Sequence, residues 1–177
     1  MSDAQPEGDG RRADLERRFS ALFAQYGASV ARLAASYTHN STEREDLFQD
    51  IAMAIWQALP RFRQECSDRT FLFRIAHNRG ISYVSRRRLP VAAIVDEMDV
   101  PDMRTDPVAA LVNQQEGEQL LDAIRRLPVS YRQIITLTLE DLSYADIAEV
   151  VGISEGNVGV RLTRARQLLR QLLQVQK

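Results

Sequence analysis

Apolar residues in this chain recur every three or four positions and nowhere sustain the every-second spacing of a half-buried β-strand. Leu15, Phe19, Leu22, Phe23, Tyr26, Val30, Leu33 and Tyr37 fall on one face of a long helix, with Gly27 as its natural break point. Thr42-Glu43-Arg44-Glu45 has the form of a capping box, in which each end satisfies a free backbone donor of the other. It opens a second helix that runs to Leu59 and stops at Pro60. The spacing predicts a third helix over residues 70–87, and further helices over 117–126, from Pro128 to about 140, over 144–151 and over 155–174. The fold class is therefore all-α: two small helical domains joined by a flexible acidic linker, the second a helix-turn-helix domain.

Charge and proline content set the boundaries. Residues 1–14 are polar and read as a disordered tail, 15–88 as the first domain and 116–177 as the second. Between them, 89–115 carry Pro90, Pro101, Pro107 and five acids against one Arg, the composition of an extended tether. The net charge of −1 conceals this sorting, since residues 15–88 hold 12 Arg against seven acids and the chain after Glu155 holds five bases and no acid. A single cysteine, Cys66, excludes an internal disulfide framework and a cysteine zinc site. The longest apolar run, 90–95, falls far short of the roughly 20 residues of a membrane helix, so no membrane insertion is expected. The polar start lacks the apolar stretch of a secretory signal, and the expected compartment is the cytoplasm. With two histidines, no glycine-rich phosphate loop and no nucleophile beside a base, the chain reads as a non-enzyme with no cofactor, no metal and no catalytic residue.

The segment 142–162 carries the most specific pattern. Ala148 is small where two helices cross, and Gly152, four residues on, suits the left-handed end of the first helix. Ile153 plugs the turn, Ser154 is a good cap, and Val158 with Leu162 holds the second helix down. A plain helical hairpin shares half of these features. On the second helix Val158, Leu162, Ala165 and Leu169 share the inward phase, while Asn157, Val160, Arg161 and Arg164 share the outward one. Asn reads adenine edges, Arg reads guanine and Val packs on a thymine methyl. Arg166 and the helix N-terminus suit phosphates, whereas Arg170 reads as a solvated charge. Gly156 and Gly159 each cost about 1 kcal/mol against Ala, which close approach to DNA or simple drift equally explains.

In the first domain, Leu47, Ile51, Ile55 and Leu59 form a core stripe, and Asp46, Gln49, Asp50, Met53 and Gln57 form a separate outward one. That outward stripe suits a docked helix of another protein or a solvated face with even odds. Residues 61–88 hold eight Arg against Glu65 and Asp68, interleaved with Phe62, Phe71, Phe73 and Tyr83. Unpaired bases need such a surface, with rings for stacking and cations along the backbone, although at least two of these rings belong to the core.

Three blocks of this domain, Glu45-Asp46-Leu47-Phe48-Gln49-Asp50, Trp56-Gln57-Ala58-Leu59-Pro60-Arg61-Phe62 and Thr70-Phe71-Leu72-Phe73-Arg74-Ile75-Ala76-His77-Asn78, resemble the first domain of bacterial extracytoplasmic-function (ECF) sigma factors. Leu127-Pro128, Arg132-Gln133 and the segment from Leu142-Ser143-Tyr144 through Arg164-Ala165-Arg166 resemble their second domain. The resemblance covers about residues 15–88 and 116–172 in the right order. It implies a promoter-specificity subunit that binds core RNA polymerase and promoter DNA, duplex at the −35 element and single-stranded at the −10. By that likeness Asp46, Gln49, Asp50 and Met53 face the polymerase. The loop from Arg63 to Arg69 captures a flipped base, and Phe71, Arg74, Asn78, Arg79 and Ser82 contact the −10 strand. Asn157, Val160, Arg161, Arg164 and Arg166 meet the −35 element. An anti-sigma factor is the implied further partner, expected over the Asp46–Gln57 stripe or the −35 helix, and the free protein is expected to be a monomer. The family usually has Trp and Tyr at Phe71 and Phe73, and Lys-Ser at Gly159-Val160. A free-standing helix-turn-helix regulator, binding duplex operators without polymerase, is the competing reading and gives the 61–88 block no role.

Overall fold

The computed structural model describes residues 6–88 and 108–174, and all of its regular structure is helical. The order is α1 (Pro6–Tyr37), α2 (Ser41–Ala58), a 3-10 turn (Leu59–Arg61), α3 (Asp68–Arg88), α4 (Val108–Arg126), α5 (Val129–Leu139), α6 (Tyr144–Val151) and α7 (Glu155–Gln174). The tether expected over 89–115 lies outside the described residues as far as 107, and from Val108 the chain is already helical.

Three local expectations change. The tail predicted as disordered over 1–14 is helical from Pro6, a residue suited to a first turn; Arg12 pairs with Glu16 and Arg17 with Asp14 one turn apart. Gly27 does not break α1, because Leu22, Val30 and Leu33 on either side are buried and that packing outweighs the glycine's local cost. The cap of α2 is Asn40, two residues before Thr42: its side chain accepts from the Glu43 N–H at 2.8 Å, and the Glu43 carboxylate accepts from the His39 N–H at 3.0 Å.

The first bundle packs α1, α2 and α3 around Val30, Leu33 and Tyr37, then Leu47, Ile51, Ile55 and Leu59, then Leu72, Phe73 and Ala76, all buried. Its predicted α2 core stripe is the observed one. The second bundle closes α4, α5, α6 and α7 over Ile124, Leu127, Ile134, Leu137, Ile147, Val158 and Leu162.

The two bundles are packed on each other, α3 against α6 and the end of α1 against α4 and α5, so that their buried residues form one cluster. Polar contacts stitch the seam. Arg32 donates through Nε and Nη2 to the two carboxylate oxygens of Glu140, both at 2.7 Å. Arg125 donates to the Ala35 carbonyl at 3.0 Å, and Arg132 to the Ser36 carbonyl at 3.3 Å.

Candidate nucleic-acid interface

The local folding of residues 142–162 follows from its caps. Ser143 accepts from the Asp146 N–H at 3.1 Å, and the Asp146 carboxylate accepts from the Ser143 N–H at 3.3 Å, closing a capping box on α6. That bonding, from the Ser143 hydroxyl above all, holds the Asp146 carboxyl below the usual range. Gly152 ends α6 at φ 74°, and the N–H groups of Gly152 and Ile153 both reach the Ala148 carbonyl. Ser154 then accepts from the Asn157 N–H at 3.4 Å at the head of α7. Val158, Leu162 and Ala165 are buried, which turns Asn157, Val160, Arg164 and Arg166 to solvent, with Arg161 half-exposed beside them. Val160 stands 50% exposed, a large apolar side chain facing water on the predicted reading face. A methyl at Gly156 would meet nothing within 4 Å and one at Gly159 only the Tyr144 ring at 3.6 Å, so neither glycine is needed for packing within the chain.

On α2, Asp46, Gln49, Met53 and Gln57 are exposed and Asp50 half-exposed, opposite the buried Leu47, Ile51 and Ile55. Asp50 faces α3, where Arg79 lies 3.6 Å away, and between the two helices a hollow of about 290 Å³ is lined by Asp46, Leu47, Asp50, Tyr83, Arg86 and Arg87. On α3 and the loop before it, Arg63, Asn78 and Ser82 are exposed; the Ser82 hydroxyl donates back to the Asn78 carbonyl at 2.8 Å. Phe71 departs from its predicted place. It is 8% exposed and stacks on Phe62 at 4.0 Å between centroids, because residues 71–73 turn toward the core. Phe73 is fully buried as well. Arg69 and Arg74 are drawn to the second bundle. Arg69 donates to the carbonyls of Glu140 and Asp141, and Arg74 lies 3.7 Å from the Glu149 carboxylate.

Residues 22–89 match the family model for Sigma-70 region 2, and 117–169 match Sigma-70, region 4. The ECF RNA polymerase sigma-E factor of Haemophilus influenzae is 30% identical over 90% of this chain and 89% of its own. The chain belongs to the ECF RNA polymerase sigma factors. Another relative, the RNA polymerase sigma-H factor of Pseudomonas aeruginosa, is 30% identical over 90% of this sigma factor and 88% of its own length. In three dimensions it is similar to CnrH, solved in complex with the cytosolic domain of CnrY, with a TM-score of 0.69, 27% identity and coverage of 92% and 91% of the two chains. It also shares its fold with the sigma factor RpoE of Bartonella quintana, solved with the anti-sigma factor NepR, at a TM-score of 0.66, 21% identity and coverage of 93% and 99%.

Sequence reasoning passed over the residues on the seam of this sigma factor. Arg32, Glu140 and Glu149 look like solvated charges in the sequence, because a salt partner 108 positions away leaves no periodic signal. Cys66, in the predicted base-capture loop, accepts from Arg74 at 3.3 Å, and burial pushes its thiol pKa up against the opposing pull of Arg74. His77 is a core residue, 1% exposed, sharing a 2.9 Å hydrogen bond with the Tyr37 hydroxyl. No helix among the described residues is long and apolar enough to cross a membrane.

Proposed function

We propose that this ECF sigma factor binds core RNA polymerase, reads promoter DNA at two elements and promotes strand opening. The reading assigns Asp46, Gln49, Asp50 and Met53 of α2 to the polymerase, and Asn157, Val160, Arg161, Arg164 and Arg166 of α7 to the duplex −35 element. Arg63, Arg69, Arg74, Asn78, Arg79 and Ser82 are assigned to the single-stranded −10 element, where captured bases hold the strands apart without ATP hydrolysis. Phe71 drops from that set, since its ring is spent on Phe62. The observation that carries the reading is the presence in one chain of two solvent-facing surfaces of different chemistry. The α7 face offers base-reading side chains, and the separate α2 face offers acids, an amide and a methionine 57% exposed. A free-standing regulator uses only the first. A third partner is an anti-sigma factor, as the Bartonella protein's structure supports.

The test is binding of the full chain to bacterial core polymerase. Asp46→Arg with Met53→Ala is the informative variant, because both side chains point outward, whereas Asp50 sits beside Arg79 and its loss would disturb α3 too. We expect submicromolar binding by the natural chain, weakened at least roughly tenfold in a variant of unchanged helicity. Tight duplex binding with no affinity for core polymerase would overturn the reading in favour of the free-standing regulator.

A further inference from the structure

We propose that the chain masks its own −10 surface: the acidic edge of the helix-turn-helix domain fills the anion seats of α3, in place of the phosphates of a DNA strand. This inference rests on the assignment of Arg69 and Arg74 to that strand. Each of these cations has an oxygen partner from the second bundle. Arg69 donates to the carbonyls of Glu140 and Asp141 and lies near enough to Asp146 to lower its pKa. Arg74 faces Glu149 at 3.7 Å. Thr70, in the first turn of α3, donates to Asp146 at 3.3 Å, which sets a carboxylate at the positive end of the helix, where a phosphate would also be favoured. Carboxylates and carbonyls thus occupy three neighbouring donors at one end of α3.

The mask is held by an ion pair, Arg32–Glu140, whose two side chains are bonded to each other and to no residue assigned to DNA. Glu140 is 9% exposed and takes both of its charge-assisted hydrogen bonds from Arg32 of α1. The carboxylate follows α5 directly, next to Asp141, whose φ of 57° turns the chain sharply toward α6. Arg32 therefore fixes the turn that delivers the Glu140 and Asp141 carbonyls to Arg69. Without Arg32, Glu140 would be left buried and unpaired as long as the bundles stayed together, which favours their separation. Arg63 and Asn78 stay exposed throughout, so the mask covers one end of the strand path and leaves the other open.

The decisive variant is Arg32→Ala/Glu149→Gln in the full chain. It removes one positive and one negative charge, so the net charge stays at −1 and bulk electrostatics cannot account for a change in DNA affinity. Small-angle scattering reads separation of the bundles. Fluorescence anisotropy reads binding of a labelled mixed-sequence strand of about 20 nucleotides at low salt. We expect a larger radius of gyration and roughly tenfold tighter strand binding than the natural chain. Arg12→Ala/Glu16→Gln, which removes an exposed pair on α1, should change neither. A double variant that stays compact, or that opens without binding the strand more tightly, would overturn the proposal. Should the double variant lose its helicity, Glu149→Gln alone frees Arg74 from the surface side. It should tighten strand binding about threefold, and unchanged affinity there also overturns the mask. Core-polymerase binding on the same samples separates the two readings. Loss of unmasking with core binding retained removes the mask alone, whereas unmasking without any core binding keeps the mask and removes the polymerase assignment.

Discussion

Tyr37 is the residue on which the first bundle closes. It is 2% exposed, its hydroxyl is bonded to His77, and the Arg132 guanidinium lies 5.6 Å from its ring centre. Gly80 faces that ring so closely that a methyl group there would fall 2.6 Å from two of its carbons. Gly80→Ala gains about 1 kcal/mol of helix propensity, but the ring is held on all sides and overpacking costs about 1–3 kcal/mol. The clash wins, and chemical denaturation should show net destabilisation; a stabilised variant would contradict this packing. His77 gives the bundle a pH response. Burial lowers its pKa from the usual 6.5 to about 3, so the unfolded chain takes a proton that the folded chain refuses. Stability from this group is complete above pH 6.5 and falls as pH drops toward 3. Between pH 6.5 and 5 the loss is about 2 kcal/mol, and His77→Gln should flatten the profile over that interval. These residues also mark what the sequence discloses. Periodicity put Tyr37 in the core, but nothing in the order of residues shows that Phe71 spends its face on Phe62, since inward and outward aromatics look alike until the helix is docked.

At the level of elements, helix starts and stops are local chemistry and were mostly legible. Gly152 and Ser154 do what their spacing predicts, because a left-handed end and a serine cap need only neighbours within four residues. The start of α2 lies two residues before the one its spacing predicts, since Asn40 and Thr42 are both competent caps and it is the Asn40 side chain that accepts from the Glu43 N–H. The α6 capping box has larger consequences than its size suggests, because α6 is eight residues long and too short to be stable alone. Its Asp146 also reaches Thr70 across the seam. Ser143→Ala should cost about 1 kcal/mol of stability, read as a lower Tm. The same substitution should return the Asp146 pKa toward the usual carboxylate range. The stability that this carboxylate contributes is present above that range and disappears as pH falls through it, so the deficit of the variant should shrink in acid. A deficit that stayed constant from neutral pH to pH 3 would refute the role of the carboxylate.

For the whole molecule, a division into two domains was readable from composition, but their union was not, because burial shared between bundles depends on contacts across some hundred residues. Buried apolar residues of both bundles form one cluster at the seam, and Arg132 adds a polar contact across it. Its side chain is nearly buried, donating to the carbonyls of Arg125 and Leu127 on its own bundle and of Ser36 on the other. One guanidinium therefore satisfies the end of α4 and ties it to the end of α1. Calorimetry of the natural chain should show a single transition, since the buried residues of both bundles form one cluster. Arg132→Met keeps the apolar stem and removes every donor, leaving three carbonyls without it at a cost of about 2–4 kcal/mol. That loss falls on the seam and on the second bundle, while the core of α1, α2 and α3 retains its own packing. The variant should therefore unfold in two steps, the α4–α7 bundle first. If it melted in one step at a uniformly lower Tm, the bundles would be coupled by their apolar contact alone, and the guanidinium would contribute stability without coupling.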